Sequence, residues 1–165
     1  MSEPMVSHDC IAFYLLSEEV SKRSKVVQSG QGADEVFGGY HWYPPMMSST
    51  DAVADYARVF CDRDHQEYLR TVDARFHGDD HARAFIARHF ALPGAREPVD
   101  QTLRMDTQIM LVDDPVKRVD NMTMAHGLEA RVPFLDHELV ELAARIPARH
   151  KIAEGGKHVL KEAAR

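Results

Sequence analysis

The stretch VVQSGQGADE, residues 26–35, limits the fold of this chain more than any other segment. A short β-branched run is typical of a strand, and the glycines that follow it allow backbone angles that other residues avoid. Asp34 and Glu35 then fall where a helix would begin, a favourable place for acidic side chains. The segment therefore predicts a short buried strand at residues 25–28, a turn at 29–32 and then a helix. We expect the strand to belong to a parallel sheet, in which ligands bind beyond the carboxyl ends of the strands.

The residues of this turn are compatible with two roles. Backbone N–H groups exposed between a strand and a helix can bind a phosphate or another anion, and Asp34 can bind the Mg²⁺ that accompanies a phosphate. Alternatively, the glycines only permit a positive φ, and Asp34 caps the helix. The local pattern leaves both interpretations open.

Apolar residues at helical spacing, together with capping residues, predict helices over most of the remaining chain. The predicted helices are 7–24, one that begins at Thr50 or Asp51, one or two within 62–91, one that begins at Asp114 and Pro115, and one that Asp136 caps and Pro147 ends. Residues 38–46 are predicted to form a loop, because Pro44 and Pro45 cannot continue a helix. The fold class is therefore α/β, mostly helical, with one short parallel-type strand.

Residues 113–147 place charged groups among apolar ones. The charged residues are Lys117, Arg118, Asp120, Glu129, Arg131 and Asp136. A charge is costly to bury unless it is paired, so we expect Glu129 or Arg131 to be buried in an ion pair, with Arg118 or Asp120 as a possible partner. For most of these residues a structural ion-pair network is favoured over direct catalysis.

Composition excludes several classes of protein. The chain has 165 residues and a net charge of −6, with no clustered basic face, which argues against a nucleic-acid partner. No apolar run approaches the roughly 18 residues of a membrane span, and the two distant cysteines provide no disulfide framework. We therefore expect a cytoplasmic protein without a membrane partner.

One set of residues has a spacing like that of zinc ligands, namely Cys61, His65, His77 and His81. Their polar flanks and the shortage of thiolates disfavour a zinc site.

Two long segments, in the appropriate order, resemble the asparagine synthetase family. VVQSGQGADEVFGGY resembles the family signature SGEGADE(L/V)FGGY, and residues 113–147 resemble a later block in which D-x4-K-x-D-x2-[ST]-M-A leads to E-x-R-x-P-F-L-D. The closing GGKHVLKEAAR resembles the segment that follows this block. GGYHWYPP and KRVDNMTMA look closest to the subgroup that amidates N-acetylglutaminylglutamine.

The resemblance implies a C-terminal synthetase domain with the pyrophosphatase-type nucleotide α-hydrolase fold. Such a domain adenylates a small-molecule carboxylate with ATP and Mg²⁺, after which ammonia attacks the acyl-adenylate. In the complete family enzyme, an N-terminal glutaminase domain produces the ammonia from glutamine. The cofactors implied are therefore ATP and Mg²⁺, and the implied partners are the carboxylate substrate and a glutaminase domain.

The resemblance also assigns roles to individual residues. Ser29, Gly30 and Gly32 would line the ATP site, and Asp34 would help to hold Mg²⁺ and pyrophosphate. Gln31 stands where asparagine synthetases have a glutamate linked to adenylate formation and to ammonia. An amide can hydrogen-bond but cannot take a proton, so general-base chemistry here would move to water or to substrate.

Glu129 is the second catalytic residue that the resemblance implies. Asn121 stands where the family commonly has arginine, which indicates a different acceptor substrate.

Some parts of the family pattern are absent from the 165 residues. These are an S-G-G-x-D-S pyrophosphate loop, a leading cysteine nucleophile and a lysine beyond the closing segment. We therefore expect residues 1–165 to be a partial synthetase domain, truncated at both ends and inactive alone. The alternative is a helical interaction module that retains the synthetase sequence without its chemistry.

Overall fold

The computed structural model describes residues 7–165, and most of them are helical. The helices are α1 (Asp9–Ser21), α2 (Ala33–Phe37), α3 (Tyr43–Met46), α4 (Ala52–Phe60), α5 (His65–Thr71), α6 (His81–Phe90), α7 (Pro98–Met105), α8 (Lys117–Met124), α9 (His137–Arg145), α10 (Ala148–Ile152) and α11 (His158–Ala163). The strands are β1 (Val26–Gln28) and β2 (Glu129–Arg131). Single turns of 3₁₀-helix lie at Ala74–Phe76, Pro133–Leu135 and Ala153–Gly155. Among these residues, no helix combines the length and the hydropathy needed to cross a bilayer.

The two strands pair in parallel, which confirms the strand and the parallel arrangement expected for residues 25–28. Val26 lies opposite Glu129, and Gln28 lies opposite Arg131. The Ser29 amide extends this ladder by donating to the Arg131 carbonyl at 2.8 Å. The expectation of one strand was wrong: β2 reads Glu-Ala-Arg and forms through this pairing, since its charged residues carry little strand propensity.

The expected burial of β1 was also wrong. Val26 is 39% exposed, Gln28 is exposed and Val27 is half-buried. Because side chains alternate along a strand, one face of the pair turns towards solvent, while Val27 and Ala130 lie on the opposite, half-buried face. Among residues 7–165 the sheet has two strands, and the alternating burial of both shows that one of its faces is open to solvent.

Several predicted helix boundaries are confirmed by hydrogen bonds. The Asp51 carboxylate accepts from the Ala54 amide at 3.1 Å at the start of α4, and Asp136 accepts from the Leu139 amide at 3.3 Å at the start of α9. Two predictions failed at prolines. Tyr43–Met46 is a short helix within the expected loop, because prolines are tolerated in the first turn of a helix.

The expected helix start at Asp114 and Pro115 was the second failure. Residues 98–124 form one continuous helical segment, in which π-helical turns at Asp106–Met110 and Val112–Val116 join α7 to α8. Pro115 has no N–H for a regular helical hydrogen bond, and it lies inside the second π-helical turn. The altered register of that turn accommodates the proline without ending the helix.

The main core packs α3, α4, α6, α7 and α10 around aromatic and aliphatic side chains. Its buried members are Tyr43, Met46, Tyr56, Ile86, Phe90, Val99, Leu103, Met105, Ala148 and Ile152.

Asp106 is fully buried beside this core and accepts hydrogen bonds from Trp42 Nε1, at 2.9 Å, and from the Tyr56 hydroxyl. Burial raises the pKa of the Asp106 carboxyl.

A second, smaller cluster packs α2 against α9, α11 and the Pro133–Leu135 turn. Its buried members are Val36, Phe37 and Ala143. Because α2 follows directly on the turn at residues 29–32, this smaller cluster determines where the turn lies.

Candidate functional site

The turn at residues 29–32 is held by its own hydrogen bonds. The Ser29 hydroxyl accepts from the Gln31 amide at 3.3 Å, and the Gly30 carbonyl accepts from the Ala33 amide at 3.3 Å. Gly32 has a φ of +91°, so the predicted positive φ is confirmed there. The turn thus lies at the carboxyl end of β1, where the sequence placed it.

Gly32 is also the point at which the two motif segments meet. A Cβ atom on Gly32 would lie 2.2 Å from Cδ2 of Leu135, a residue of the PFLD stretch. Leu135 belongs to the smaller cluster that packs around Val36 and Phe37. A glycine is therefore required at position 32 both for its φ and for the close approach of Leu135.

Gly30 differs from Gly32. It is exposed, its φ is not positive, and a Cβ atom added to it would have no neighbour within 4 Å. The fold itself therefore does not explain a glycine at position 30. The open space over this residue lets another molecule approach the backbone of the turn closely.

Asp34 pairs with a lysine from the far end of the chain. Lys157 Nζ lies 2.9 Å from Asp34 Oδ1, and both side chains are about one-third exposed, at 34% and 33%. The capping role considered for Asp34 is wrong, because the N-cap of α2 is Gly32 and no side chain caps it. Asp34 instead presents its carboxylate, together with an ammonium group, beside the turn.

Two glycine pairs, Gly38–Gly39 and Gly155–Gly156, allow Lys157 to lie beside Asp34. A Cβ atom on Gly156 would lie 2.4 Å from the Gly38 carbonyl oxygen, and one on Gly39 would lie 2.0 Å from Asp34 Oδ1. Lys157 itself has a φ of +52°, and its amide donates to the Phe37 carbonyl at 3.1 Å. The backbones of the two segments therefore pack directly together, and the lysine is held in a conformation that non-glycine residues rarely adopt.

Sequence reasoning missed Lys157. The signal available for it was a lysine that directly follows Gly155 and Gly156, in a segment that also resembled the family pattern. Nothing local shows that this glycine pair packs against the glycines that follow α2.

The expected burial of Glu129 and Arg131 was wrong. Their side chains are 58% and 65% exposed, and they pair with each other through Arg131 Nε and Glu129 Oε1 at 2.9 Å. Two residues apart on a strand, they share the open face of the sheet. Arg118, in contrast, is buried, and its Nη1 lies 3.2 Å from an Asp114 carboxylate oxygen and 3.5 Å from one of Asp9.

The predicted site residues thus fall into two groups. Ser29, Gly30, Gln31, Gly32 and Asp34 lie together in the turn and the first turn of α2. Glu129 begins β2, opposite Val26, whereas the turn follows the other end of that strand pair. Its side chain contacts Arg131, and its catalytic role stays a prediction.

The residues beside the turn fit a magnesium–phosphate group. Mg²⁺ binds through one or two carboxylates and the oxygens of substrate phosphates, and Asp34 offers one carboxylate that is about one-third exposed. A lysine ammonium binds phosphate as a point charge. Because α2 has only five residues, its dipole adds little to this charge pattern.

A second group of possible metal ligands lies near Lys157 in the sequence. Donor atoms of Glu154, His158 and Glu162 lie within 4.8 Å of one another. Contacts within the chain account for two of them, because Glu162 lies 2.6 Å from Arg165 Nη1 in an ion pair and a Glu154 carboxylate oxygen lies 3.5 Å from His158 Nδ1. We therefore assign no metal site to these three residues.

The histidines considered as zinc ligands have other neighbours. His65 stacks on Tyr68, and His77 Nε2 lies 2.9 Å from the Val72 carbonyl oxygen. These contacts give both rings a structural role.

Glu35, next to Asp34, is buried on the inner side of α2. It is 1% exposed and accepts from the Tyr40 hydroxyl at 2.7 Å. Burial raises the pKa of the Glu35 carboxyl above its ordinary value of 4.5. Protonation of this group therefore favours the folded state.

A pH series should reveal this linkage. A raised folded-state pKa gives a stabilisation that is fully present below pH 4.5 and is lost as the pH rises through the folded-state pKa. We expect the free energy of unfolding of the wild type, minus that of Glu35→Gln, to be largest near pH 4 and to fall towards pH 7. Urea unfolding at each pH measures it, and parallel pH profiles for the two proteins would contradict the expectation.

Comparison with known proteins agrees with the resemblance read from the motifs. The family model described as asparagine synthase matches residues 1–165. A candidate glutamine-hydrolysing asparagine synthetase of Mycobacterium tuberculosis is 30% identical over 188 aligned positions, which cover 92% of this chain and 28% of that protein. Asparagine synthetase 1 of Bacillus subtilis is 24% identical, with 98% of this chain and 31% of that protein covered.

Asparagine synthetase B of Escherichia coli is 28% identical over 153 positions, 90% of this chain and 19% of that protein. The chain thus spans less than a third of the length of these relatives. The match of the family model to all 165 residues confirms the predicted family, and the chain belongs to the asparagine synthase family.

Proposed function

We propose that this chain forms part of the nucleotide site of an ATP-dependent amide synthetase that takes its ammonia from glutamine. The Asp34–Lys157 pair beside the open backbone of Gly30 carries this proposal, since it places a carboxylate and a cation at the carboxyl end of a parallel strand pair. The names of the relatives, glutamine-hydrolysing asparagine synthetases, support the reaction class.

In this proposal each group has a separate task. The backbone at Gly30 would contact the phosphates. The Lys157 ammonium group would stabilise the negative charge of the pyrophosphate that leaves when the carboxylate is adenylated. Asp34 would hold Mg²⁺, which would supply positive charge to neutralise the phosphates. The contact between Asp34 and Lys157 would then be exchanged for contacts of each group with the ligand.

Gln31 and Glu129 are the proposed catalytic residues. The Gln31 side chain is half-buried in the turn and can donate or accept a hydrogen bond, but it cannot accept the proton that ammonia loses. That proton would go to water or to substrate. Glu129 would need to leave Arg131 before it could act on a substrate.

We further propose N-acetylglutaminylglutamine as the acceptor, a glutaminase domain as the partner and the cytoplasm as the location. The acceptor rests on the motifs GGYHWYPP and KRVDNMTMA. Asn121, the residue that departs from the family pattern, donates from Nδ2 to the Lys117 carbonyl at 2.7 Å within α8. With asparagine in place of the family's arginine, the side chain at position 121 therefore hydrogen-bonds within its own helix.

Binding of magnesium pyrophosphate tests the nucleotide site without requiring turnover. We expect Lys157→Met to weaken binding at least about tenfold, because a charge-assisted contact to phosphate contributes about 1.5–3 kcal/mol. Asp34→Asn should remove the magnesium dependence of binding. Isothermal titration calorimetry on the 165-residue chain measures both, and Lys161→Met, which changes an exposed lysine of α11, is the matched control.

Gly30→Ala separates a ligand role from a structural one. Its new methyl group meets no atom within 4 Å and needs no unusual φ, so the melting temperature should stay unchanged while pyrophosphate affinity falls. Gly32→Ala should instead lower the melting temperature, because its methyl group would overlap Leu135. Unchanged affinity in Gly30→Ala and Lys157→Met would refute the proposed site.

We expect the 165 residues alone to catalyse no ATP–pyrophosphate exchange. The space over Gly30 is open, and a poorly desolvated site gives weak electrostatic stabilisation of the leaving group. Exchange assays with purified chain and candidate acids test this expectation, and robust exchange would contradict it.

One observation favours the second candidate function, a helical interaction module without chemistry. Ile11, Leu15 and Leu16 on α1 are 67%, 55% and 59% exposed, which is unusual for a helix that stays in solvent. In that case the chain would bind another protein but not magnesium pyrophosphate, so the titration above separates the two functions.

A further inference from the structure

Gly38 and Gly39, which we call the glycine turn, lie directly beneath Lys157. Gly38 ends α2 with a φ of +71°, and the Lys157 amide donates to the carbonyl of the preceding residue, Phe37, at 3.1 Å. A Cβ atom on Gly39 would lie 2.0 Å from Asp34 Oδ1 and 3.0 Å from Lys157 Cε, so both charged side chains of the candidate site pack against this turn. Two adjacent glycines have more backbone freedom than other residues, so contacts from outside must determine the shape of the turn.

Tyr40, the residue after the glycine turn, is held at two points. Its hydroxyl donates at 2.7 Å to Glu35 Oε1, a side chain that is 1% exposed on the inner side of α2. Its ring stacks on Trp42, with the ring centroids 4.2 Å apart and the ring planes 17° from parallel. Trp42 Nε1 in turn donates to the buried carboxylate of Asp106. Tyr40 therefore joins α2 to the main core.

The hydrogen bond between Tyr40 and Glu35 closes a loop around the glycine turn. Glu35 lies in α2 directly after Asp34, and Tyr40 directly follows Gly39. Within this loop the Gly39 amide donates to the Asp34 carbonyl at 2.8 Å. Without its hydroxyl, Tyr40 would keep its stacking on Trp42 but would lose its link to α2, and the glycine turn would be free to shift relative to Asp34.

We propose that Tyr40 and Glu35 are positioning residues of the candidate site, an inference that rests on the nucleotide site proposed above. Neither side chain contacts the ligand in this role. Their hydrogen bond holds the glycine turn in the shape that places Lys157 beside Asp34. In a purely structural role, the same bond would only satisfy the buried Glu35 carboxylate, and its removal would leave the position of Lys157 unchanged.

Hydrogen exchange at the Lys157 amide tests this position without a ligand. Tyr40→Phe removes the hydroxyl and keeps the ring, so the amide, which donates to the Phe37 carbonyl, should exchange with solvent at least about tenfold faster than in the wild type. Tyr68→Phe is the matched control, because it removes a hydroxyl of α5 that donates to the Phe76 carbonyl. It should leave exchange at Lys157 unchanged. NMR measurements on the 165-residue chain give these rates.

Binding of magnesium pyrophosphate tests the consequence for the site. Tyr40→Phe should bind it about fivefold more weakly than the wild type, the change in Kd that corresponds to one ordinary hydrogen bond, while Tyr68→Phe should bind it equally well. Glu35→Gln keeps an acceptor oxygen for the Tyr40 hydroxyl and should keep most of the affinity, whereas Glu35→Ala should lose as much as Tyr40→Phe. Isothermal titration calorimetry measures all four affinities.

Two results would overturn the proposal. One is a folded Tyr40→Phe protein in which the Lys157 amide exchanges as slowly as in the wild type, and the other is wild-type pyrophosphate affinity in that variant. A wild type that bound no magnesium pyrophosphate would instead contradict the proposed nucleotide site, and the exchange rates would still decide whether Tyr40 positions Lys157.

Discussion

Gly156→Ala is expected to lower the free energy of unfolding by about 3–5 kcal/mol, a large part of the stability of a domain this size. Gly156 has a φ of +86° and a ψ of 164°, a region that is essentially restricted to glycine and costs other residues about 1–3 kcal/mol. The new methyl group would also lie 2.4 Å from the Gly38 carbonyl oxygen and 3.0 Å from Gly39 Cα. Both are backbone atoms that cannot rotate away, so overpacking adds about 1–3 kcal/mol.

Gly155→Ala is the matched control for this substitution. Gly155 also has a positive φ, of +79°, but a Cβ atom there would meet nothing within 4 Å. It should therefore cost only the backbone strain, about 1–2 kcal/mol. Urea unfolding of both variants measures the difference, and equal losses would show that the contact between the two glycine pairs is less close than described.

Gly156→Ala should also affect the candidate site. The contact between the glycine pairs positions Lys157 beside Asp34. A folded Gly156→Ala protein should therefore bind magnesium pyrophosphate less tightly than Gly155→Ala does. Equal affinity in the two variants would separate the backbone contact from the placement of the lysine.

Asp106→Ala should have an effect of similar size, a loss of about 3–5 kcal/mol. The Asp106 carboxyl is fully buried and accepts from Trp42 Nε1 and from the Tyr56 hydroxyl. Alanine would leave the buried Tyr56 hydroxyl and the half-buried Trp42 N–H without their acceptor, at about 1–3 kcal/mol for a buried donor, and would leave a small cavity as well. Chemical denaturation monitored by the fluorescence of Trp42 measures the loss.

Asp106→Asn provides the comparison, because its amide keeps one acceptor oxygen in a side chain of nearly the same shape. Its loss should be clearly smaller than that of Asp106→Ala, and Asp113→Ala, at an exposed position, should stay within about 0.5 kcal/mol of the wild type. If alanine and asparagine at position 106 had the same effect, the hydrogen bonds to Trp42 and Tyr56 would contribute little to stability.

The sequence by itself determined those features that depend on neighbouring residues. The strand at residues 26–28, the turn after it and the positive φ of Gly32 all follow from a β-branched run that meets glycines. The caps at Asp51 and Asp136 follow from a carboxylate placed just before an amphipathic run. Each of these preferences acts within about one helical turn, so the residue pattern was sufficient.

The tertiary structure decided the features that join distant segments. β2 is a strand because β1 pairs with it, and Glu129 and Arg131 stay exposed because they share the open face of that pair. Pro115 lies within a helix because the segment on both sides of it packs, with π-helical turns taking up the change in register. Local propensity opposed each of these outcomes, and packing overrode it.

The same distinction holds at the candidate site. The residues of the turn were predicted from the sequence, but the cation beside Asp34 was not, because Lys157 reaches it through a contact between two glycine pairs that are far apart in the chain. The burial of Asp106 and Lys151 likewise depends on helices that assemble around them. Backbone contacts and burial of this kind depend on which segments approach each other in three dimensions. Hydrophobic periodicity and capping residues predict local structure, and they do not predict which distant segments pack together.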